Sequence, residues 1–334
     1  MTHPPAQTAP PSACITGIAG FIGSHLAERL LAAGWRVSGI DNFCDFYDPA
    51  IKHARVEHLR REAEKHGWAL GEIREGDIRD REAVFDLFQA ERPEQVVHIA
   101  AMAGVRPSIE NPKLYTEVNL DGTVNVLDAA VDVGVQKLAF ASSSSVYGNN
   151  PKVPFAETDA VDHPISPYAA TKKAGELYCH AYAHLHGLAI ACLRFFTVFG
   201  PRQRPDLAIS KFMRMIDAGE PIPVFGDGST SRDYTYIDDI VTGITQSLDA
   251  IGAEHNYRVW NLGGSSPVTL AELITAIEQA VGKKAVIDRQ PMQPGDVERT
   301  FADITRSKAE IGYEPRTTLA EGLSKQWAWL SAGE

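Results

Sequence analysis

From residue 13 to about residue 200, short apolar runs alternate with longer stretches in which apolar side chains recur every three or four positions. The runs predict strands over 13–16, 36–40, 95–100, 137–142 and 188–195. The longer stretches predict helices over 24–33, 51–66, 83–91, 115–133 and 168–186, the first with Leu26, Leu30 and Leu31 on one face. Strands alternating with helices imply an α/β protein: a parallel sheet built from β-α-β units, with helices on both faces. Beyond Gly200 the rhythm changes. Pro201, Pro205, Pro221, Pro223 and the turn Gly226-Asp227-Gly228 interrupt shorter elements, which predicts a smaller, less regular C-terminal α/β lobe over 201–334. The first domain is expected to span 12–200, with part of 233–262 returning to it. Residues 1–11 hold four prolines and no apolar stretch of the kind a signal peptide needs, so they read as a flexible tail.

Composition narrows the partners. With 44% hydrophobic residues in 334, a substantial core can form. The net charge of -11 disfavours nucleic acid and anionic membranes as partners. No apolar run is long enough to span a membrane. The four cysteines, Cys14, Cys44, Cys179 and Cys192, include no C-x-x-C pair and read as reduced thiols of a cytoplasmic protein. His184 and His186 lack a further ligand at metal-binding spacing, so no metal is expected.

The first chemical signal is Thr16-Gly17-Ile18-Ala19-Gly20-Phe21-Ile22-Gly23, between the first strand and the first helix. Glycines spaced three apart permit a tight turn and let backbone N–H groups approach a pyrophosphate, to which the helix N-terminus adds partial positive charge. The strand–turn–helix context predicts a Rossmann doubly wound sheet that binds a dinucleotide. Asp41, which ends the second strand, would accept hydrogen bonds from the adenosine ribose and repel a 2′-phosphate, favouring NAD over NADP. Asn42 follows it, and Asp77 and Ile78, after another strand, are placed near the adenine.

A second constellation lies downstream. Ser142-Ser143-Ser144-Ser145 ends a strand, and Tyr168 and Lys172 sit at i and i+4 on a helix, on one face. An ordinary tyrosine is a poor base at neutral pH. A neighbouring ammonium, a positive nicotinamide ring and a serine hydroxyl would let it take a proton from a carbinol while hydride leaves for NAD.

With these motifs the chain resembles the extended short-chain dehydrogenase/reductase family over nearly all its length after the tail. The resemblance is carried by the glycine loop, Ala100-Ala101, Asn119, Ser142-Ser143-Ser144, Tyr168 with Lys172, Arg194-Phe195-Phe196-Thr197 and Arg232-Asp233-Tyr234. Within the family it looks like the nucleotide-sugar 4-epimerases. The likeness implies Ser143, Tyr168 and Lys172 as the catalytic trio, with Ser144 as the alternative register for the serine. It adds Ala100, Ala101, Asn119 and Ser142 to the cofactor contacts. It also implies transient oxidation at carbon 4 of a UDP-sugar, and a homodimer paired through the helices at 115–133 and 168–186. Sugar dehydratases of the family carry an acid/base pair, usually Asp-Glu, directly after the hydroxyl residue. Ser144 and Ser145 stand there instead.

Substrate contacts are expected from Arg106, Ser144, Ser145, Thr197, Arg204, Arg232 and Asp296, the arginines suiting diphosphate oxygens. Many UDP-galactose epimerases carry an arginine three residues before the Gly-Asp aspartate; here Gln293 takes that place before Asp296. The stretches 41–49, 104–108 and 292–297 resemble the uronate-type enzymes. Small donors at 144, 145 and 197 suit a carboxylate on carbon 6. The expected reaction is therefore interconversion of UDP-glucuronate and UDP-galacturonate. UDP-glucose 4-epimerisation and UDP-glucuronate decarboxylation are the alternatives within the chemistry, and a non-catalytic NAD-binding scaffold is the alternative outside it.

Overall fold

The computed structural model describes residues 10–291 and 298–333. The expected tail at 1–11, apart from residues 10 and 11, lies outside the described residues, as does Asp296. The first half runs β1 (Ser12–Thr16), α1 (Phe21–Ala32), β2 (Arg36–Asp41), α2 (Pro49–His66), β3 (Leu70–Glu75), α3 (Arg81–Glu91), β4 (Gln95–His98), α4 (Val105–Glu110), α5 (Pro112–Thr116), a π-helical turn (Glu117–Asp121), α6 (Gly122–Val133), β5 (Lys137–Ser143), α7 (Pro167–His186) and β6 (Ala189–Phe195). It continues through β7 (Thr197–Phe199), α8 (Ala208–Ala218), β8 (Pro221–Phe225), β9 (Ser231–Tyr236), α9 (Ile237–Ala250), β10 (Tyr257–Leu262), β11 (Pro267–Thr269), α10 (Leu270–Val281), β12 (Val286–Gln290), α11 (Thr305–Ile311) and α12 (Leu319–Ser331).

The main sheet has seven parallel strands in the order β10-β6-β5-β4-β1-β2-β3. Its central strands are apolar on both faces because helices cover both; every residue of β6 is buried. The strand order reverses direction between β1 and β4, whose C-terminal ends lie side by side with Thr16 opposite His98. A switch point of this kind opens a crevice beyond the strand ends, where doubly wound sheets bind ligands. Outside the main sheet the chain forms a mixed sheet, β11-β9-β7, and a parallel pair, β12-β8.

Three elements differ from the sequence reading. Helix α1 begins at Phe21 rather than residue 24, because Gly20 already serves as its N-cap and the glycine loop runs straight into the first turn. The strand expected over 95–100 ends at His98. The single helix expected over 115–133 is broken at Glu117–Asp121, where the backbone widens into a π-helical turn centred on Asn119. Inserted residues of this kind recur at functional sites and turn a chosen side chain out of helical register.

Candidate active site

Gly17 follows β1 with φ +76°, and a Cβ there would lie 3.0 Å from the Ala100 nitrogen. A Cβ on Gly23 would lie 2.1 Å from the Gly17 carbonyl oxygen, so only glycine lets α1 pack this close to the loop. Gly20 caps α1 without any side-chain bond, and Phe21 and Ile22 line the crevice beside it. The result is a backbone cradle at a helix N-terminus, a fit for a pyrophosphate. Asp41 is buried at the end of β2 and accepts hydrogen bonds from the Ala19 N–H (3.1 Å) and the Phe43 N–H (3.0 Å). Lys52 Nζ lies 3.5 Å from the same carboxylate. Beyond it, Asn42 Nδ2 donates to Asp77 at 2.9 Å. Burial pushes the Asp77 carboxyl up, but donors from Arg79 and Asn42 outweigh it and hold the group down at about 2, so it is ionised.

A hydrogen-bonded chain fixes the crevice floor. The Ile99 and Ala100 N–H groups both donate to Thr16 Oγ1, so the hydroxyl's own proton points to His98 Nδ1, 2.7 Å away. That sets His98 as the Nε2–H tautomer, which reaches Thr123 Oγ1 at 2.9 Å, and Thr123 donates on to the Asn119 carbonyl at 2.7 Å. Burial brings His98 down to about 3, keeping it neutral. The Asn119 side chain accepts from the Met102 N–H (2.8 Å) and donates to the Met102 carbonyl (3.0 Å) and Thr171 Oγ1 (3.0 Å). It therefore clamps the 100–104 segment from behind and is not among the crevice lining, whereas Ala100 and Ala101 are.

The reactive face is carried by α7. Ser166 caps the helix by accepting from the Ala169 N–H at 3.1 Å, with Pro167 in the first turn. Tyr168, Lys172 and Glu176 follow on one face. Ser143, at the end of β5, shares the crevice with Tyr168 and acts on its phenol, and its hydroxyl accepts from the Ser145 N–H at 3.1 Å. Burial raises the phenol above its ordinary value of 10, while Ser143 and the charge of Arg204 pull against that rise. Burial brings Lys172 down from 10.5 to about 8. Its ammonium donates to the Ala141 carbonyl at 2.7 Å and lies 5.2 Å over the Phe140 ring. The lysine is thereby anchored to the strand, and the charge of Arg204 favours the Tyr168 phenolate. Behind them, Ser142 donates to Glu176 at 2.7 Å, and Arg194 grips both Glu176 oxygens at 2.8 Å. This buried ion pair ties the reactive helix to β5 and β6.

These groups share one crevice of about 530 Å³, lined by Gly17, Gly20, Phe21, Ile22, Asp41, Asn42, Asp77 and Ile78 at one end and by Ser142, Ser143, Tyr168 and Lys172 at the other. Ser144, Ser145, Thr197 and Arg204 also line it. Gly23, Arg106 and Arg232 are not among the lining residues. Gly23 packs α1 on the loop, the Arg106 guanidinium lies 5.1 Å over the Phe225 ring, and Arg232 donates to the Ser231 carbonyl at 2.9 Å.

Cys44, Phe46, Tyr47 and Lys52 line the crevice as well and went unassigned in the sequence. The sequence over 51–66 reads as a charged helix. Yet Lys52, Arg55, Val56, Leu59 and Ala63 form one buried face, and their spacing of three or four was the available signal.

Fold and site together define an extended short-chain dehydrogenase/reductase. More narrowly, a model described as GDP-mannose 4,6 dehydratase matches residues 14–326, and the chain belongs to that family. It is 42% identical to the UDP-glucuronate 4-epimerase of Thermodesulfobacterium geofontis (strain OPF15), over 94% of each chain. It is 44% identical to a UDP-glucuronate 4-epimerase of Arabidopsis thaliana, covering 94% of this chain and 74% of that one. A solved structure of UDP-glucuronic acid 4-epimerase from Bacillus cereus, in complex with UDP-glucuronic acid and NAD, matches with a TM-score of 0.87 and 32% identity, over 97% of this chain and all of that one.

Proposed function

We propose that this chain catalyses NAD-dependent 4-epimerisation of a UDP-sugar, with UDP-glucuronate and UDP-galacturonate as the interconverted pair. The carrying observation is the single crevice that joins a glycine cradle and Asp41 to Ser143, Tyr168 and Lys172. Gly17, Gly20 and the α1 N-terminus would hold the pyrophosphate, Asp41 the adenosine ribose, and Asp77 and Ile78 the adenine. Asn119 supports the 100–104 segment from outside the crevice.

NAD held in this cradle would supply the acceptor for hydride from carbon 4 and the donor for its return. Tyr168 takes the 4-hydroxyl proton and later gives it back. Ser143 and Arg204 lower the cost of the phenolate. Lys172, near a pKa of about 8, is charged over most of the neutral range and adds a second cation deep in the site. Ser144 and Ser145 leave no acid directly after Ser143, so the elimination of a sugar dehydratase has no proton donor there.

The choice of a uronate rests on Ser144, Ser145, Thr197 and Arg204, which bring small hydroxyls and one guanidinium to the same crevice. A carboxylate suits such a set; a hydroxymethyl group needs none of its charge. Incubating purified protein with UDP-glucuronate, UDP-glucose and UDP-N-acetylglucosamine, and resolving the epimers by chromatography, tests this. UDP-galacturonate is expected from the first, whereas a pentose product or preference for UDP-glucose would overturn the uronate reading.

The working unit is a homodimer in the cytoplasm. Support comes from α7, which exposes Leu177 (59%), Tyr178 (44%) and Leu185 (71%) beyond its buried face. Among the described residues no helix is long and apolar enough to cross a membrane. Light scattering at micromolar concentration should give twice the chain mass of 36.4 kDa; a monomer mass contradicts the dimer.

A further inference from the structure

We infer that Phe46 is a positioning residue for the uronate carboxylate: its ring is the platform that holds the Arg204 guanidinium in the crevice. The inference rests on the uronate reading above and extends it to a residue on the cofactor side of the site.

Phe46 belongs to the segment between β2 and α2, five residues after Asp41. Arg204 comes from the segment after β7, on the other side of the crevice. The guanidinium carbon lies 4.6 Å from the Phe46 ring centroid, within the range of a cation–π contact, and both residues line the crevice. Asp206 takes Nε (3.0 Å) and Nη2 (2.6 Å), so one edge of the fork is occupied while the ring supports its face. Fixing edge and face leaves the plane of the guanidinium little freedom to turn. Arginine recognises a carboxylate through such a plane, and its contribution depends on orientation. Arg204 lines the same crevice as Ser143 and Tyr168, and its charge favours the Tyr168 phenolate.

The approach of the two segments is built in. Arg55, on α2, is buried and donates to the Tyr47 hydroxyl (2.9 Å), to the Ala19 carbonyl of the glycine loop (3.1 Å) and to the Arg202 carbonyl (2.7 Å). One side chain therefore knots the glycine loop, the Phe46 segment and the Arg204 segment together. A cofactor seated on Asp41 and the glycine loop would order Phe46, and through it the group that meets the substrate's charge. Neither Phe46 nor Asp206 needs to touch the sugar for this to act.

The test compares Phe46→Leu and Phe46→Tyr in the NAD-loaded protein by calorimetric binding of UDP and of UDP-glucuronate, followed by KM and kcat. Leucine keeps apolar bulk and removes the ring; tyrosine keeps the ring. For Phe46→Leu, the Kd and KM for UDP-glucuronate should rise roughly five- to thirty-fold, the loss of a desolvated cation–π contact, with kcat reduced less. The Kd for UDP, which has no carboxylate, should stay within two-fold, and Phe46→Tyr should behave as the parent. An equal rise for UDP and UDP-glucuronate would make Phe46 a general packing residue and overturn the inference, as would an unchanged Phe46→Leu protein. If the parent itself binds UDP-glucuronate no better than UDP-glucose, the uronate reading fails instead, and the two failures are told apart.

Discussion

Gly23→Ala should strip NAD from the protein while leaving the fold in place. The added Cβ would sit 2.1 Å from the Gly17 oxygen, 2.9 Å from the Gly17 carbonyl carbon and 3.0 Å from the Ile18 Cα, all backbone atoms with no flexible side chain to yield. Ordinary contact at the oxygen requires α1 to move away by about 1 Å or more. Forcing one extra carbon into such packing costs about 1–3 kcal/mol. The displacement falls on the N–H groups that would meet the pyrophosphate, so NAD affinity should drop by roughly ten- to a hundred-fold, or about 1.4–2.8 kcal/mol. Gly34→Ala is the control. Its φ of +84° makes alanine strained, by about 1 kcal/mol, but nothing lies within 4 Å of the new carbon and it is remote from the cradle. Calorimetric titration with NAD and thermal melts should show both variants destabilised and only Gly23→Ala impaired in NAD binding. Parent-like NAD affinity in Gly23→Ala would refute the close-packing argument.

Two further outcomes follow from the buried charges. Glu176→Gln keeps the side-chain volume but strands the Arg194 guanidinium, which is 2% exposed; denaturant unfolding should show a loss of about 3 kcal/mol, and Arg194→Met added to it should recover part of that loss. Tyr168 acts ionised and its pKa lies above 10, while Lys172 loses its charge above about 8, so kcat/KM should rise with pH below 8 and level off above it, and a guanidinium in Lys172→Arg should let the rise continue. The depressed value also means that the folded state holds this proton less tightly than the unfolded chain. The buried ammonium therefore costs stability below pH 8, and the cost fades between 8 and 10.5.

The parts of the molecule that announced themselves were those with local rules. The glycine loop, Asp41 and the Tyr168/Lys172 pair are short-range patterns, and the strands β1, β2, β5 and β6 are apolar runs that only a doubly covered sheet explains. What the sequence hid depends on contacts across long separations. The π-helical turn at Glu117–Asp121 interrupts a periodic apolar pattern without glycine or proline inside it; Asn119 needs it to reach Met102 and Thr171, a requirement visible only in three dimensions. Helix α2 looks solvated because nearly half its residues are charged, yet Lys52 and Arg55 are buried beneath the cofactor end, answering Asp41, the Ala19 carbonyl and the Arg202 carbonyl. Helical spacing and the family likeness placed Lys172 beside Tyr168; the hydrogen bond from its ammonium to the Ala141 carbonyl, 31 residues away in the chain, was not legible from either. Arg204 was expected as a substrate contact from the usual pairing of arginine with phosphate; its place in the crevice lining and its cation–π contact with Phe46 depend on a fold that brings residues 46 and 204 together.

The most direct test of the central claim is turnover of UDP-glucuronate by Tyr168→Phe, with NAD content measured on the same preparation. The ring volume is kept and the proton-accepting oxygen is lost. The variant should therefore retain NAD and a parent-like melting temperature while UDP-galacturonate formation falls by about two to four orders of magnitude. Epimerisation within a few-fold of the parent, with contaminating enzyme excluded, would show that Tyr168 is not the base and contradict the mechanism.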